Sequence, residues 1–490
     1  MEYILKLALP APDAADWVQS LTRIPALARH KAVQQQLHDI YYDTPQETLH
    51  RQDVALRLRR AVSGETTRWL QTLHIGVGCG SALSRREVWE AAVPHATLHA
   101  AMLTDTPWSK LDPQASLFAA LQPCFNTQFS RTIWTVRHAD VSAVTVALDI
   151  GHIVVGDTHA ALCEIELVLL AGDAGALFTL ANEIATAVAT LPLDTGKAAR
   201  GYALARNTMR APRHAKHPAL TSDLPKTVAA QRMLRECLSH FTTNLNAVVY
   251  SDDPELVHQT RVGWRRFKTG LKLFQKLAAT RPPAAMQSLR PVLDALGTLR
   301  DLEVASLETL PMLANGFTDG NPSRQARWRA MQQALTQAAE QQRDKLHAAL
   351  CDPRVGVTLL ALTQWLEIDL TQLAEAAGSN PDHTLQDWAR RNMRQWHRLL
   401  KTALANAHDL ESTHRARILA KRLRYGIDDM RPLLPKRRAR HWHLLASHLQ
   451  SDMGSARDVQ QALAIANRLK VAPSLLDYLR GVAVGRKHGT

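Results

Sequence analysis

The sequence predicts an α+β multidomain chain, strands first and helices after, and three observations predict it. Residues 1 to about 206 alternate with a two-residue period, as strands do. From Thr227 onward the apolar residues follow helical spacing. Within that helical part, His258-x2-Arg261-x3-Arg265-Arg266-x-Lys268 recurs as His414-x2-Arg417-x3-Lys421-Arg422-x-Arg424. A repeat with so long a period marks two helical half-domains, not a short solenoid.

The chain has 490 residues, 46% of them hydrophobic, enough for two or three domains with buried cores. Its formal charge of +14 is unevenly placed. Residues 1–206 hold 17 Lys and Arg against 20 Asp and Glu (−3), and residues 207–490 hold 42 against 25 (+17). The second part is therefore aimed at a polyanion. Five scattered cysteines without a Cys-x-x-Cys pair point to reduced thiols and against a disulfide framework or zinc site. Glu2 stands where a signal peptide carries positive charge, and no apolar run is long enough to span a membrane. The expectation is a cytoplasmic protein without a membrane partner.

In the first strand Glu2, Ile4 and Lys6 share one face, with Tyr3, Leu5 and Leu7 on the other. The same period sets Arg57 and Arg59 against Leu56 and Leu58, Arg85 and Glu87 against Arg86 and Val88, and Glu164 and Glu166 against Ile165 and Leu167. A solvated outer face explains any one of these strands. Charged faces of both signs recurring from strand to strand also fit a closed barrel with a polar interior. Residues 207–226, with Pro212, Pro218 and Pro225, read as a linker, and breaks are expected near 311–323 and at Gly378 to Pro381.

On a helix the offsets 0, 3, 7 and 10 fall near one face. His258, Arg261, Arg265 and Lys268 thus form one basic stripe, and His414, Arg417, Lys421 and Arg424 a second. Such crowding of like charge costs helix stability, and an anion would offset it. Gly297-x2-Arg300-Asp301 and Gly454-x2-Arg457-Asp458 follow the two stripes. Their aspartates read as structural, and Arg300 and Arg457 join the candidate anion site. Capping or packing would explain a lone histidine. The equivalence of His258 and His414 favours phosphate contact, with affinity rising toward acidic pH.

Arg390, Arg391, Arg394, Arg398 and Lys401 form a further basic helix interleaved with Trp388 and Trp396. Eight residues apart, those tryptophans fit a buried face better than a nucleic-acid stacking platform. Gly76-x-Gly78-x-Gly80 lies between two strand-like segments and reads as a hairpin, because no helix opens after it.

Residues 1–206 resemble the CYTH family, whose fold is the triphosphate tunnel barrel. The family's opening Glu-x-Glu-x-Lys stands here as Glu2-x-Ile4-x-Lys6. Tyr42-Asp43-Thr44-Pro45, Leu56-Arg57-Leu58-Arg59, Arg85 with Glu87, Arg131 with Trp134, Ala147 to Gly151, Glu164-Ile165-Glu166, and Lys197 ahead of Arg200-Gly201-Tyr202 follow in family order. The resemblance implies an antiparallel tunnel in which Lys6, Arg57, Arg59, Arg85, Arg131 and Lys197 bind triphosphate. It also implies that Glu2, Glu164 and Glu166 bind Mg2+ or Mn2+, so that Glu2, Lys6, Glu164 and Glu166 carry catalysis. Three positions depart from the pattern: Ile4 and Val168 replace carboxylates, and His74 stands where a lysine is expected.

Residues 227–490 resemble the CHAD family through the two stripes and the Gly-x-x-Arg-Asp elements. This resemblance implies two pseudo-twofold-related helical bundles that bind inorganic polyphosphate. His258, Arg261, Arg265, Arg266, Lys268, Arg300, His414, Arg417, Lys421, Arg422, Arg424 and Arg457 are then the site. The implied function is a metal-dependent inorganic triphosphatase with a polyphosphate-binding domain and no specific nucleic-acid partner. The alternative is a non-catalytic polyphosphate binder with a degenerate tunnel.

Overall fold

The computed structural model describes residues 2–10, 17–76, 80–137, 142–275, 277, 282–376 and 384–488. Eight antiparallel strands close into a barrel: β1 (Glu2–Ala8), β2 (Val33–Asp43), β3 (Val54–Ser63), β4 (Thr66–Ile75), β5 (Leu83–Val93), β6 (Gln122–Arg137), β7 (Ala143–Val155) and β8 (Thr158–Ala171). Their order is β5-β4-β3-β2-β6-β7-β8-β1, and β1 returns to pair with β5, which leaves no open edge. A two-residue strand, β9 (Leu191–Pro192), pairs with the end of β1.

Cross-strand partners share a face, so the registers decide what the barrel encloses. Lys6 lies opposite Glu166, Asp149 opposite both Glu164 and Arg131, Arg59 opposite Asp39, and Arg57 opposite Tyr41 and Thr72. All of these point inward. The opposite face of the same strands, with Leu5, Leu7, Val146, Leu148, Ile165 and Leu167, packs outside against Leu177, Phe178, Leu180 and Ile184 of α1 (Gly175–Ala187). Each such fully buried side chain stabilises the fold by roughly 1.5–3 kcal/mol. One end of the barrel is filled by Tyr41, Phe125 and Phe129 under Ala198 and Tyr202 of α2 (Lys197–Ala205).

The rest is helical: α3 (Lys226–Val248), α4 (Pro254–Phe274), α5 (Arg290–Glu303), α6 (Pro322–Leu350), α7 (Pro353–Gln364), α8 (Leu385–Ala405), α9 (Leu410–Met430), α10 (Lys436–Arg468) and α11 (Pro473–His488). The two motif helices start alike. Asp253 caps α4 by accepting from Glu255 N, and Asp409 caps α9 in a reciprocal box with Ser412. One core joins the halves, with Phe241 and Phe267 from the first and Met393 and Leu423 from the second. A second core links α6 with α10 and α11 through Trp328, Met331, Ile465 and Leu479.

The break expected at 311–323 is a 3-10 turn, Pro311–Leu313, then a short helix, Ala314–Thr318, followed by left-handed Asp319 (φ 41°) and Gly320 (φ 67°), before Asn321 caps α6. Gly78, Cys79 and the break expected at Gly378 to Pro381 lie outside the described residues. Residues 207–226 are not slack: Leu220 is buried and Arg213 bonds to α3. Leu360 of α7 also enters the outer core of the barrel. Among the described residues no helix is long and apolar enough to cross a membrane.

Candidate functional site

The barrel encloses a cavity of about 470 Å³, including its open mouth. Its walls carry opposite chemistry. On β7 and β8, Asp149, Glu164 and Glu166 are buried together, with ligand oxygens within 4.8 Å of one another. Lys197 bonds to Glu164, and its Nζ lies 2.7 Å from Asp149 and 3.1 Å from Glu166. Arg131 reaches Asp149 at 2.6 Å and Glu166 at 2.7 Å, while Arg200 reaches Glu164 at 2.7 Å. Burial alone would raise the Glu166 carboxyl, but Lys197, Arg131 and Lys6 hold it well below the usual carboxylate range. Burial works against the charge on Lys197 too, and the three carboxylates more than reverse it.

The facing wall, from β1, β3, β4 and β5, has spare donors. Lys6 makes no ion pair among the described residues, and burial lowers its pKa despite Glu166 nearby. Among the described residues, both ring nitrogens of His74 and Nε of Arg57 are buried without a hydrogen-bond partner. Burial, reinforced by Arg57 and Arg86, pushes His74 well below the ordinary imidazole value, so the ring is neutral at pH 7. Buried polar atoms left unpaired are costly, and here they converge on one cavity. Arg57 is only loosely held by Asp39, at 3.3 Å. Arg59 is committed to the same carboxylate by two bonds of 2.6 and 2.7 Å, and the pair of arginines drives the Asp39 pKa down to about 2 despite its burial.

Two expectations about the tunnel need correction. Arg85 does not face inward: it lies outside, over the Tyr3 ring at 5.0 Å. Glu2 pairs with Arg86 in the β1–β5 register, which makes Arg86 the inward cation of that strand and a lining residue of the cavity. Glu2 is also not part of the carboxylate group. Its side chain is 39% exposed and pairs with Arg86 at 3.4 Å, and Asp149 takes the third position that sequence reasoning assigned to it. Asp149 sat inside a motif already singled out. Only the register that sets it opposite Glu164 shows its place.

Hard carboxylate oxygens at this spacing suit Mg2+ or Mn2+. Asp149, Glu164 and Glu166 therefore fit a divalent ion, provided Lys197 and Arg131, which now engage those oxygens, turn to an arriving anion. Ile4 and Val168 are direct cross-strand partners, so the two departures remove carboxylates at one point on the wall.

On the helical domain, α4 and α9 bring the two stripes together. Arg261, Arg265, Arg417, Lys421 and Arg457 lie within electrostatic reach of one another, and Arg300 adds to the field at Arg261 and His258. Burial first, then Arg265, Arg417, Arg457 and Arg261, lowers Lys421 to about 7. Gly297 leaves room for the Arg261 guanidinium against α5, since a Cβ there would lie 2.9 Å from Nη1 and the side chain would have to shift. Lys268 is exposed beside Arg261 and Arg265. The two histidines differ: His258 is half-buried near Arg300, and His414 is exposed.

Three further residues of the expected anion site have partners of their own. Arg266 is buried at 2% exposure, bonded to Asp429 and to the Lys216 carbonyl, and is a core ion pair. Arg422 packs over the Trp396 ring at 5.9 Å. An offset of eight residues turns a side chain about 80° from the histidine, so both leave the stripe. Arg424 lies over Tyr425 at 4.9 Å. Arg300 bonds to Glu308 at 2.7 Å, and Asp301 accepts from Gln461. Trp396 is buried and Trp388 stacks on Phe274, in keeping with a core role.

A closed polar barrel followed along the chain by a helical domain with paired basic helices defines the class, and the family models agree. A CYTH domain model matches residues 1–202 and a CHAD domain model matches residues 232–467: the chain is a CYTH domain joined to a CHAD domain. It is 31% identical over 211 residues to an inorganic triphosphatase of Haemophilus influenzae, across 41% of this chain and 54% of that protein. The match thus spans about half the length of this curated relative. Among solved structures, it is similar to the CHAD domain of the plant Ricinus communis (27% identity, TM-score 0.49, 57% of this chain and 92% of that one). A putative adenylyl cyclase from Hippeastrum, described as having a dominant triphosphatase activity, is also similar (15% identity, TM-score 0.31, 41% and 96%).

Proposed function

We propose that the barrel is a metal-dependent inorganic triphosphatase acting on tripolyphosphate, and that the helical domain binds long-chain polyphosphate. The observation that carries the first part is the division of the tunnel into a wall of free or loosely held donors and a wall of buried carboxylates. Lys6, Arg57, Arg86 and His74 bind phosphate oxygens on one side. Arg131 and Lys197 exchange their carboxylate partners for phosphate on the other. A divalent ion bound by Asp149, Glu164 and Glu166 would offset charge on the phosphoryl group and lower the pKa of a water. The barrel wall holds the chain of phosphates in line and limits access of bulk water.

The test is phosphate release from tripolyphosphate with Mg2+ or Mn2+. Folded protein that turns over no faster than a Lys6→Ala control sinks the enzymatic reading. The aliphatic pair Ile4 and Val168 favours the second reading, a tunnel that binds without hydrolysing, because lost carboxylates weaken the metal more than the phosphate. For the helical domain, long-chain polyphosphate should outcompete DNA of equal phosphate content. Equal competition would count against polyphosphate as the ligand.

A further inference from the structure

The helical domain grips the barrel at the segment that delivers Lys197. Lys197 is the first residue of α2, where a cation opposes the helix dipole by roughly 0.3–1 kcal/mol. It is also 95% buried as a side chain, since only 5% is exposed. Its three carboxylates supply one restraint. The other comes from the chain just before it.

Three residues upstream, the Asp194 side chain is 3% exposed and its Oδ2 accepts three bonds. Ser239 Oγ donates at 2.5 Å, Thr243 Oγ1 at 2.6 Å and Arg213 Nη1 at 3.2 Å. Ser239 and Thr243 belong to α3, the first helix of the helical domain, and Arg213 belongs to the connecting segment. Arg213 is itself fixed by Ser239 at 2.5 Å, Thr243 at 3.0 Å and Glu236 at 2.9 Å. Farther along α3, Asn246 Nδ2 donates to the Pro192 carbonyl at 2.9 Å. On the barrel side, Leu193 N donates to the Lys6 carbonyl at 2.9 Å, and a Cβ at Gly196 would lie 3.2 Å from Lys6 Nζ. Residues 192–197 therefore bind α3 on one side while carrying one tunnel cation and touching the other. Three residues of extended chain span about 10 Å, too short to absorb slack between Asp194 and Lys197.

We infer that Asp194 is a positioning residue, through which α3 of the helical domain holds Lys197 in the triphosphate tunnel. The helical domain is then part of the tunnel's construction as well as a second binding surface. This rests on the proposed function only for its kinetic consequence. The seating of Lys197 is a property of the free protein.

The test uses the full chain. Ser239→Ala with Thr243→Val alters only the helical domain, and Asp194→Ala alters the other side of the clamp. The reactivity of Lys197 toward an acetylating reagent, read by mass spectrometry, reports its seating. KM and kcat for tripolyphosphate report the consequence. Both variants should acetylate Lys197 several-fold faster than wild type, and their KM should rise about tenfold or more. Leu479→Ala, in the core between α6 and α11, is the control for general destabilisation: it lowers the melting temperature but leaves Lys197 reactivity and KM unchanged. Should Asp194→Ala fail to fold, Asp194→Asn, which keeps an acceptor, should give a smaller change in the same direction. Wild-type Lys197 reactivity in the folded clamp variants overturns the inference. A protein that does not hydrolyse tripolyphosphate overturns the proposed function and leaves the reactivity measurement to decide this one.

Discussion

The tunnel and the basic stripes both concentrate cations, but they hold them in opposite ways. In the tunnel Lys197, Arg131, Arg200 and Arg59 are already paired with buried carboxylates. On α4 and α9 the neighbours of Lys421 that matter most are Arg265, Arg417 and Arg457. An anion that engages these cations must exchange for an existing partner, in contrast to one held by Lys6 or His74 on the facing wall, and the exchange frees carboxylates for a metal. An anion reaching Arg265, Arg417 or Lys421, which make no ion pair among the described residues, relieves repulsion without displacing a partner. Under the proposed function, the same residue types thus give a selective site in one place and an accumulating one in the other.

Removing one cation from each region gives the sharpest test of that contrast. Lys197→Met leaves Asp149, Glu164 and Glu166 short of a buried partner, and should destabilise the protein by about 3–5 kcal/mol. Lys421→Met removes a source of repulsion and should stabilise it by about 0.5 kcal/mol. Denaturant unfolding of both variants measures the two signs. Equal signs would break the comparison.

The same contrast shows what was legible in the sequence and what was not. Alternation placed Glu2, Ile4 and Lys6 on one face, and helical spacing selected the stripe, because both depend only on local geometry. Alternation does not say which face of β5 turns inward. That is set by a long-range register, Glu2 opposite Arg86, and the resemblance pointed to Arg85 instead. Asp149 carries no local signal for the same reason, as its partners Arg131 and Glu164 lie on other strands. Arg266 and Arg422 enter the expected site through the family resemblance and not through the stripe, since their offset of eight turns them off its face. The clamp at Asp194 had no local signal, since Ser239 and Thr243 lie in another domain.

Affinity should show the next largest effect. Arg261→Gln with Arg417→Gln should weaken long-chain polyphosphate binding about tenfold to a hundredfold and flatten its salt dependence by about two counterions. Titration calorimetry at several salt concentrations measures both. In the tunnel the same double variant should leave tripolyphosphate turnover unchanged.

Lys421 adds a pH dependence to the stripes. With a pKa lowered to about 7, it is half neutral near pH 7 and must take up a proton to engage an anion. Polyphosphate affinity should fall as pH rises through 7, with proton uptake detectable as a buffer-dependent heat. The sign for folding is opposite. Between pH 7 and about 10.4 the unfolded chain holds the proton that the folded one has lost, so this residue makes the folded state relatively more stable as pH rises. Lys421→Met should flatten both trends.

The smallest effect separates two adjacent arginines. Arg86 lines the cavity and, among the described residues, pairs with Glu2 at 3.4 Å, whereas Arg85 lies on the outer face over Tyr3. Arg86→Gln should raise KM for tripolyphosphate by about tenfold, the loss of one charge-assisted contact. Arg85→Gln should leave KM unchanged and shift stability by no more than about 0.5 kcal/mol. Both changes remove one positive charge from neighbouring positions, so a general electrostatic attraction would move them together. Only an inward-facing Arg86 separates them, and equal effects on KM would mean that β5 pairs with β1 in the other register.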